Sequence, residues 1–254
     1  MMFWFKKKEI IVDCFTIHQS VYELYKIRPA IKYFPEEAKA MPNFYDEIDQ
    51  NTKITHQAAT IRKCIGLINL YKQGFIMPMW TTFLSEPKSS WENKTAVAMV
   101  QMPFHYQIHD RKQYGNIFED HIHVKLEGPW RLREKTGIQF VWNSPTWNLH
   151  KQTHNFTVVP GSVSYDYQSQ TNVNIFINKK PDRFTIEAGT PLVHMVPVTD
   201  KVVKLKHHLV SQQEYSKVGI PDEYDMIHPE RYTRWIKEYE SNNPKAKCPF
   251  GFGK

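Results

Sequence analysis

Short strand-like segments follow one another from about residue 94 to residue 208, and this pattern restricts the chain to a β-rich fold. The segments are rich in β-branched and aromatic residues, which pack well on a pleated surface. Turn-forming residues such as Pro160-Gly161 separate them. Such a series is typical of a sandwich, a jelly roll or a small barrel. The expected strands are 97–100, 121–126, 130–133, 138–142, 156–159, 163–167, 173–177, 183–186, 192–198 and 202–205.

The flanking regions have a different character. Residues 9–17 are expected to form a buried strand, whereas the Pro-containing residues 28–55 are expected to be rich in loops. A helix is predicted over residues 60–72, where Thr60 could cap the start and Gly74 could end it. Its apolar positions keep helical spacing at Ile61, Ile65, Ile68 and Tyr71.

Two further features of the chain concern turns and ends. Residues 75–83 are expected to form a strand in which Pro78 requires an edge or a bulge. Residues 135–137 are expected to close a hairpin between the strands on either side. The last part is expected to be helical, with segments 209–218 and 229–240.

We therefore predict three parts within one folding unit. They are an N-terminal part (1–93), a β-sandwich core (94–208) and a helical C-terminal extension (209–254).

Composition excludes several classes of protein. The chain has 254 residues, 41% of them hydrophobic, which is enough for a sizeable core. It begins without a secretory signal and has no apolar stretch long enough to span a bilayer, so no membrane is expected. Its three cysteines are far apart and odd in number, which favours free thiols in a reducing compartment. The formal net charge is +7, but no nucleic-acid motif accompanies it, so no nucleic-acid partner is expected.

Residues 115–127 carry the strongest indication of chemistry. The sequence there is GNIFEDHIHVKLE. Alternate residues of a strand point to one side. His121, His123 and Glu127 would therefore share a face of the predicted strand. Two imidazoles and a carboxylate form a plausible mononuclear site for a divalent transition metal.

This stretch resembles the first motif of the cupins, in which a glycine, five residues, His-x-His, three or four residues and a glutamate follow one another. Gly115, His121, His123 and Glu127 fit those spacings. The next glycine of the family pattern should come six residues later, but Gly137 comes after nine. The resemblance implies a jelly roll that holds a metal, with Fe(II) favoured and Mn, Ni, Cu or Zn as alternatives.

The second cupin motif ends in a histidine, and the candidate here is His194, preceded by Gly189 at a gap that departs from the family pattern. His154 is the substitute ligand. Two other interpretations stay open. His194 lies in an apolar segment and could be a core histidine with its polar atoms satisfied. His121 and His123 could lie on the solvent face of an edge strand.

A second resemblance covers most of the chain from about residue 30 to 205. The segments KCIGLINLYKQGFIMPMW (63–80), GPWRLREKTG (128–137), FTVVPG (156–161) and FTIEAGTPLVHMVP (184–197) resemble uncharacterised proteins of marine tailed phages, notably cyanobacterial myoviruses, with bacterial relatives. This resemblance implies a viral protein located in the host cytoplasm or the virion. It brings no established activity.

Two functions follow as expectations. The first is a mainly β, jelly-roll or cupin-like metal-binding protein with a few peripheral helices, such as an Fe(II)-dependent oxygenase acting on a small-molecule substrate or a side chain. The second is a non-enzymatic phage protein, either a virion component or a module that binds a partner or counters the host. A homo-oligomer is expected in either case. The sequence lacks nucleotide-binding glycine motifs and the nucleophile elbow of hydrolases.

Overall fold

The computed structural model describes residues 9–87, 95–100, 104–114, 121–145, 155–166, 168–178 and 184–218, together with Lys237 and Ser241. These residues are mainly β, as predicted. The strands are β1 (Glu9–Thr16), β2 (Arg28–Pro29), β3 (Phe44–Ile48), β4 (Thr55–Ala59), β5 (Phe75–Pro78), β6 (Thr82–Pro87), β7 (Thr95–Val100), β8 (Tyr106–Ile108), β9 (His121–Leu126), β10 (Arg131–Arg133), β11 (Gln139–Asn143), β12 (Phe156–Val158), β13 (Gly161–Ser164), β14 (Val173–Asn178), β15 (Phe184–Ile186), β16 (Pro191–Pro197) and β17 (Val202–Leu209).

The strands form four sheets and one separate hairpin. The sheet orders are β10-β1-β17, β13-β11-β16-β5-β2, β12-β14-β9-β8 and β15-β6-β7, and β3 pairs with β4 alone. Within the described residues, each sheet is open. Strands of the N-terminal part pair directly with strands of the central block, because β1 pairs with β10 and β17 and β5 pairs with β16.

Within the described residues, five short α-helices with assigned bounds accompany the sheets. They are α1 (Gln19–Leu24), α2 (Glu36–Ala40), α3 (Ile65–Lys72), α4 (Arg111–Tyr114) and α5 (Gln212–Ser216). The helix predicted over 60–72 is divided into a 3-10 turn at Ile61–Lys63 and α3. Thr60 does not cap it, since its hydroxyl donates to the Pro42 carbonyl at 2.5 Å instead. No described helix combines the length and apolar character needed to span a membrane.

Strand β1 shows how the sequence pattern produces the core. Its even-numbered residues from Ile10 to Thr16 are buried, and its odd-numbered residues lie towards the outside. The parallel pairing with β17 runs from Glu9↔Val202 to Thr16↔Leu209. The inner face joins one large cluster of buried side chains contributed by all four sheets, including Cys14, Trp80, Val124, Leu132, Phe140, Ile175 and Ile186. Burial of this apolar area is the main stabilising contribution.

Pro78 lies beside a bulge, which is one of the two positions expected for it. Pro78 pairs with Pro191, and the register between β5 and β16 shifts before the next pair, Met77↔Val193. Proline lacks the amide proton that a regular ladder needs, so the irregularity lies where proline is tolerated. The predicted strand 75–83 is interrupted here, and β6 begins at Thr82 in a different sheet.

The predicted hairpin around residues 135–137 is wrong. β10 pairs with β1, whereas β11 pairs with β13 and β16, so the turn leads from one sheet to another. The buried Glu134 carboxylate holds this turn by accepting hydrogen bonds from the amides of Thr136 at 2.6 Å and Gly137 at 2.8 Å. Gly137 adopts a φ of 71°, which favours glycine. The turn chemistry was correctly predicted, but the partner strands were not.

The C-terminal extension is anchored through Arg131. Its guanidinium donates hydrogen bonds to the carbonyls of Tyr215 at 2.8 Å and Val218 at 3.1 Å, and lies 4.4 Å from the centroid of the Tyr215 ring. A capping box between Ser211 and Glu214 starts helix α5. Helix α5 confirms part of the helical segment expected at 209–218, while the segment 229–240 lies almost wholly outside the described residues.

Replacing Arg131 with alanine is expected to release residues 212–218. Hydrogen bonds to a charged group contribute about 1.5–3 kcal/mol, so we expect the free energy of unfolding to fall by about 2 kcal/mol. Urea unfolding measures this change, and hydrogen exchange locates it. Arg133→Ala is the control, because Arg133 lies in the same strand but is exposed. Unchanged exchange at 212–218 in Arg131→Ala would contradict this anchoring role.

Candidate functional site

Strand β9 presents its histidines on the face opposite the core. Val124 and Leu126 are fully buried, whereas His121 and His123 lie half-buried on the other face. The strand therefore alternates as the sequence predicts. Its position in the sheet order β12-β14-β9-β8 decides which side chains surround the histidines.

Strand β8 and the residue after it add another histidine to this face. The His109 amide donates to the His123 carbonyl at 2.9 Å, which places the two residues opposite each other on neighbouring strands. Their ring centroids lie 4.4 Å apart with an interplanar angle of 50°. We call His109 and His123 the histidine pair.

Strand β14 supports the histidine pair from the other side. Nε2 of His123 lies 3.1 Å from Oδ1 of Asn174, and the Phe176 ring centroid is 5.1 Å from that of His123. Because an amide oxygen only accepts, Nε2 carries the proton and Nδ1 carries the lone pair. Asn174 thus selects the tautomer of His123.

Burial is the main cause that lowers the pKa of His123, and the neighbouring charge of His109 lowers this pKa further. The hydrogen bond to Asn174 raises the pKa of His123 but does not offset these effects. His123 is therefore neutral near pH 7. A neutral imidazole is the form that binds a metal.

Glu127 follows the end of β9 and faces other partners. Its amide donates to the His105 carbonyl at 3.0 Å, and its carboxylate accepts from Nε2 of Gln107 at 3.3 Å. Four residues of extended chain span about 13 Å, so Glu127 is separated along the strand from His123.

His194 lies in another sheet. It is 2% exposed in β16, opposite Asn143 of β11 and Ile76 of β5. Its Nε2 donates to the Gln73 carbonyl at 3.0 Å, and its ring packs near that of Tyr71. Burial lowers the pKa of His194, while the bond to Gln73 raises it. This environment is that of a core histidine with one nitrogen satisfied.

The structure thus separates the predicted ligands. His121 and His123 share a face, Glu127 lies farther along it, and His194 belongs to a different sheet. Gly115 and His154 lie outside the described residues. Within the described part of the chain, no three His, Cys, Asp or Glu side chains lie close enough together to hold a metal.

Sequence reasoning missed His109. His105 and His109 are four residues apart, a spacing typical of neighbours on a helix. In a strand, however, residues i and i+4 also share a face. The short β8, Tyr106–Ile108, has too few apolar residues to stand out as a strand. Its pairing with β9 is what brings His109 to His123.

Comparison with known proteins assigns no family to this chain. No family model and no curated protein matches this chain.

Proposed function

We propose that the protein binds a divalent transition metal through His109 and His123. The observation that carries this proposal is the separation of 4.4 Å between their ring centroids. Metal–nitrogen bonds of about 2.0–2.1 Å allow two imidazoles to share one ion at roughly this ring separation. His109 directly follows β8, which pairs with β9, so the backbone holds the two histidines together in the absence of a metal.

Asn174 gives this site an outer partner. Residues that hydrogen-bond the second nitrogen of a metal-binding histidine fix its tautomer and orientation. Asn174 does so for His123. Imidazole ligands suit Zn, Cu, Ni and Fe. A metal held by only two protein ligands keeps coordination positions open for water or a small molecule.

A cupin-like jelly roll with an Fe(II) oxygenase site is the alternative form of this proposal. It would bind the metal through His121, His123, Glu127 and His194 and act on a small-molecule substrate. The two forms share His123 but differ at His109, which only the histidine pair includes, and at Glu127, which only the cupin-like set includes.

Metal titration with side-chain variants distinguishes the two forms. Calorimetry with Zn²⁺ or Ni²⁺ on the tag-free chain should give one site. We expect His109→Ala and His123→Ala each to abolish measurable binding, and Asn174→Ala to weaken it by about 10–100-fold. Glu127→Ala and His56→Ala are the controls, since Glu127 pairs with Gln107 and His56 lies on the separate hairpin.

The titrations select one of the two ligand sets or reject both. If the wild type binds no metal, both forms of the proposal fail. If Glu127→Ala loses binding while His109→Ala retains it, the cupin-like ligand set replaces the histidine pair. Circular dichroism confirms that each variant is folded.

A second candidate function is a non-enzymatic phage protein that acts through protein contacts, in the host cytoplasm or the virion. The resemblance of residues 63–80 and 184–197 to phage proteins supports it. The observation that favours it is the exposed hairpin of β3 and β4.

A further inference from the structure

Strands β3 and β4 form a hairpin that no other described strand joins. All five residues of β3 are exposed, and so are four of the five residues of β4. A two-stranded hairpin alone is marginally stable in water. The hairpin is closed by Asp49, whose carboxylate accepts from the amides of Asn51 at 2.7 Å and Thr52 at 3.1 Å. It is thus a formed element that lacks a covering layer among the described residues.

Large apolar side chains are exposed on this hairpin. On one face, Phe44 is 48% exposed and Ile48 is 56% exposed, with Asp46 between them. Tyr45 is 49% exposed on the other face, and Ile54 is 64% exposed beside the turn. Exposed apolar side chains grouped on one element indicate a protein-binding surface.

The hairpin is acidic in a basic chain. Residues 44–59 contain Asp46, Glu47 and Asp49 but only one lysine, Lys53, a formal charge of −2, whereas the whole chain carries +7. Nε2 of His56 lies 3.5 Å from the Glu47 carboxylate. Asp46 and Asp49 add two further carboxylates to the hairpin, and a basic partner surface would complement them.

Strand β17 offers such a surface on the same chain. It is eight residues long, and among the described strands it pairs only with β1, so no described strand occupies its other edge. Residues 201–209 contain Lys201, Lys204 and Lys206 and no carboxylate. Lys204 is paired with Glu9 at 2.7 Å. Val202 is 42% exposed and adds an apolar contact. Open edges bind extended segments through main-chain hydrogen bonds.

We propose that β3 of one copy of this chain adds to the open edge of β17 in a second copy. Asp46 would then face Lys206, and the apolar residues of the hairpin would be covered. If the exchange is reciprocal, the result is a two-fold dimer in which each copy donates a hairpin and receives one. This proposal is independent of the histidine pair.

Charge exchange between the two elements tests the proposal. Sedimentation equilibrium of the full chain should show a dimer of the 30.1 kDa protomer. Asp46→Lys alone and Lys206→Glu alone should each raise the dimer dissociation constant at least about tenfold, by placing like charges together. An equimolar mixture of the two variants should form heterodimers, because both hairpin–edge contacts then join opposite charges.

Glu37→Lys is the matched control, since it reverses an exposed acidic charge on α2, outside the hairpin. It should leave dimerisation unchanged. A wild type that stays monomeric at every concentration overturns the proposal. So does a dimer that neither Asp46→Lys nor Lys206→Glu weakens. A mixture that fails to associate shows that the two elements do not meet, which also overturns it. Far-UV circular dichroism and thermal melting confirm that each variant is folded.

Discussion

Replacing Gly74 with alanine should destabilise the protein by about 2–5 kcal/mol, from the combined costs of left-handed backbone and overpacking. Gly74 ends helix α3 with a φ of +74°. A Cβ there would lie 2.3 Å from the Met195 carbonyl oxygen and 3.0 Å from Cα of Val196. Both atoms belong to the backbone of β16, so no side-chain rotation can relieve the clash.

The same substitution at Gly161 is the control. Gly161 has no heavy atom within 4 Å of the ideal Cβ position, and its φ lies outside the left-handed region. We expect Gly161→Ala to change stability by less than about 0.5 kcal/mol, as is usual at open surface sites. Urea denaturation of both variants gives the comparison. Equal stability of the two variants would contradict the close approach of Gly74 to β16.

Acidification should destabilise the fold through His207. This residue faces inward from β17, level with the buried Cys14, and its ring packs edge-on against Trp130 with centroids 5.2 Å apart. Burial is the main cause that lowers its pKa to about 4, and the charges of Lys26, His208 and Arg28 lower it further, whereas a backbone bond to Ile27 raises it.

The direction of this pH effect follows from the different pKa of His207 in the folded and the unfolded chain. In the unfolded chain, the pKa of histidine is about 6.5, so between pH 6.5 and about 4 the unfolded state binds the proton and the folded state does not. The free energy of unfolding therefore falls as the pH falls through this window, and the loss is absent above it. His18, His123 and His194 act in the same direction, because burial lowers the pKa of each.

His207→Gln isolates this contribution. Urea unfolding between pH 7 and pH 4 should show a smaller loss of stability in this variant than in the wild type. The assignment to His207 is refuted if His207→Gln and the wild type show the same pH dependence.

Much of the secondary structure could be predicted locally. Alternation of apolar and polar residues identified β9 and β14, and the apolar run at 192–198 identified β16. Glycine and proline marked the end of α3 at Gly74 and the bulge at Pro78. These signals depend on the conformational limits of one residue and its neighbours.

Strand β3 lies in the segment 28–55 that the sequence predicts to be rich in loops, and β4 begins at the end of that segment. The apolar residues of β3 are interrupted by Asp46 and Glu47, and no residue of either strand is buried, so the sequence carries no clear strand pattern here. β-propensity mostly reflects packing against neighbours. Residues that pack against little within their own chain carry a weak signal.

The candidate site, too, could be predicted from the sequence only in part. Sequence alone placed His121 and His123 on one face of a strand, because the period of a strand is a local property. It also determined the mainly β class, through the repeated short apolar segments. It could not decide which strands are neighbours. Tertiary pairing brought His109 to His123 and placed His194 in another sheet. Strand order depends on how the whole core is buried, so it cannot be predicted from the sequence of any one segment.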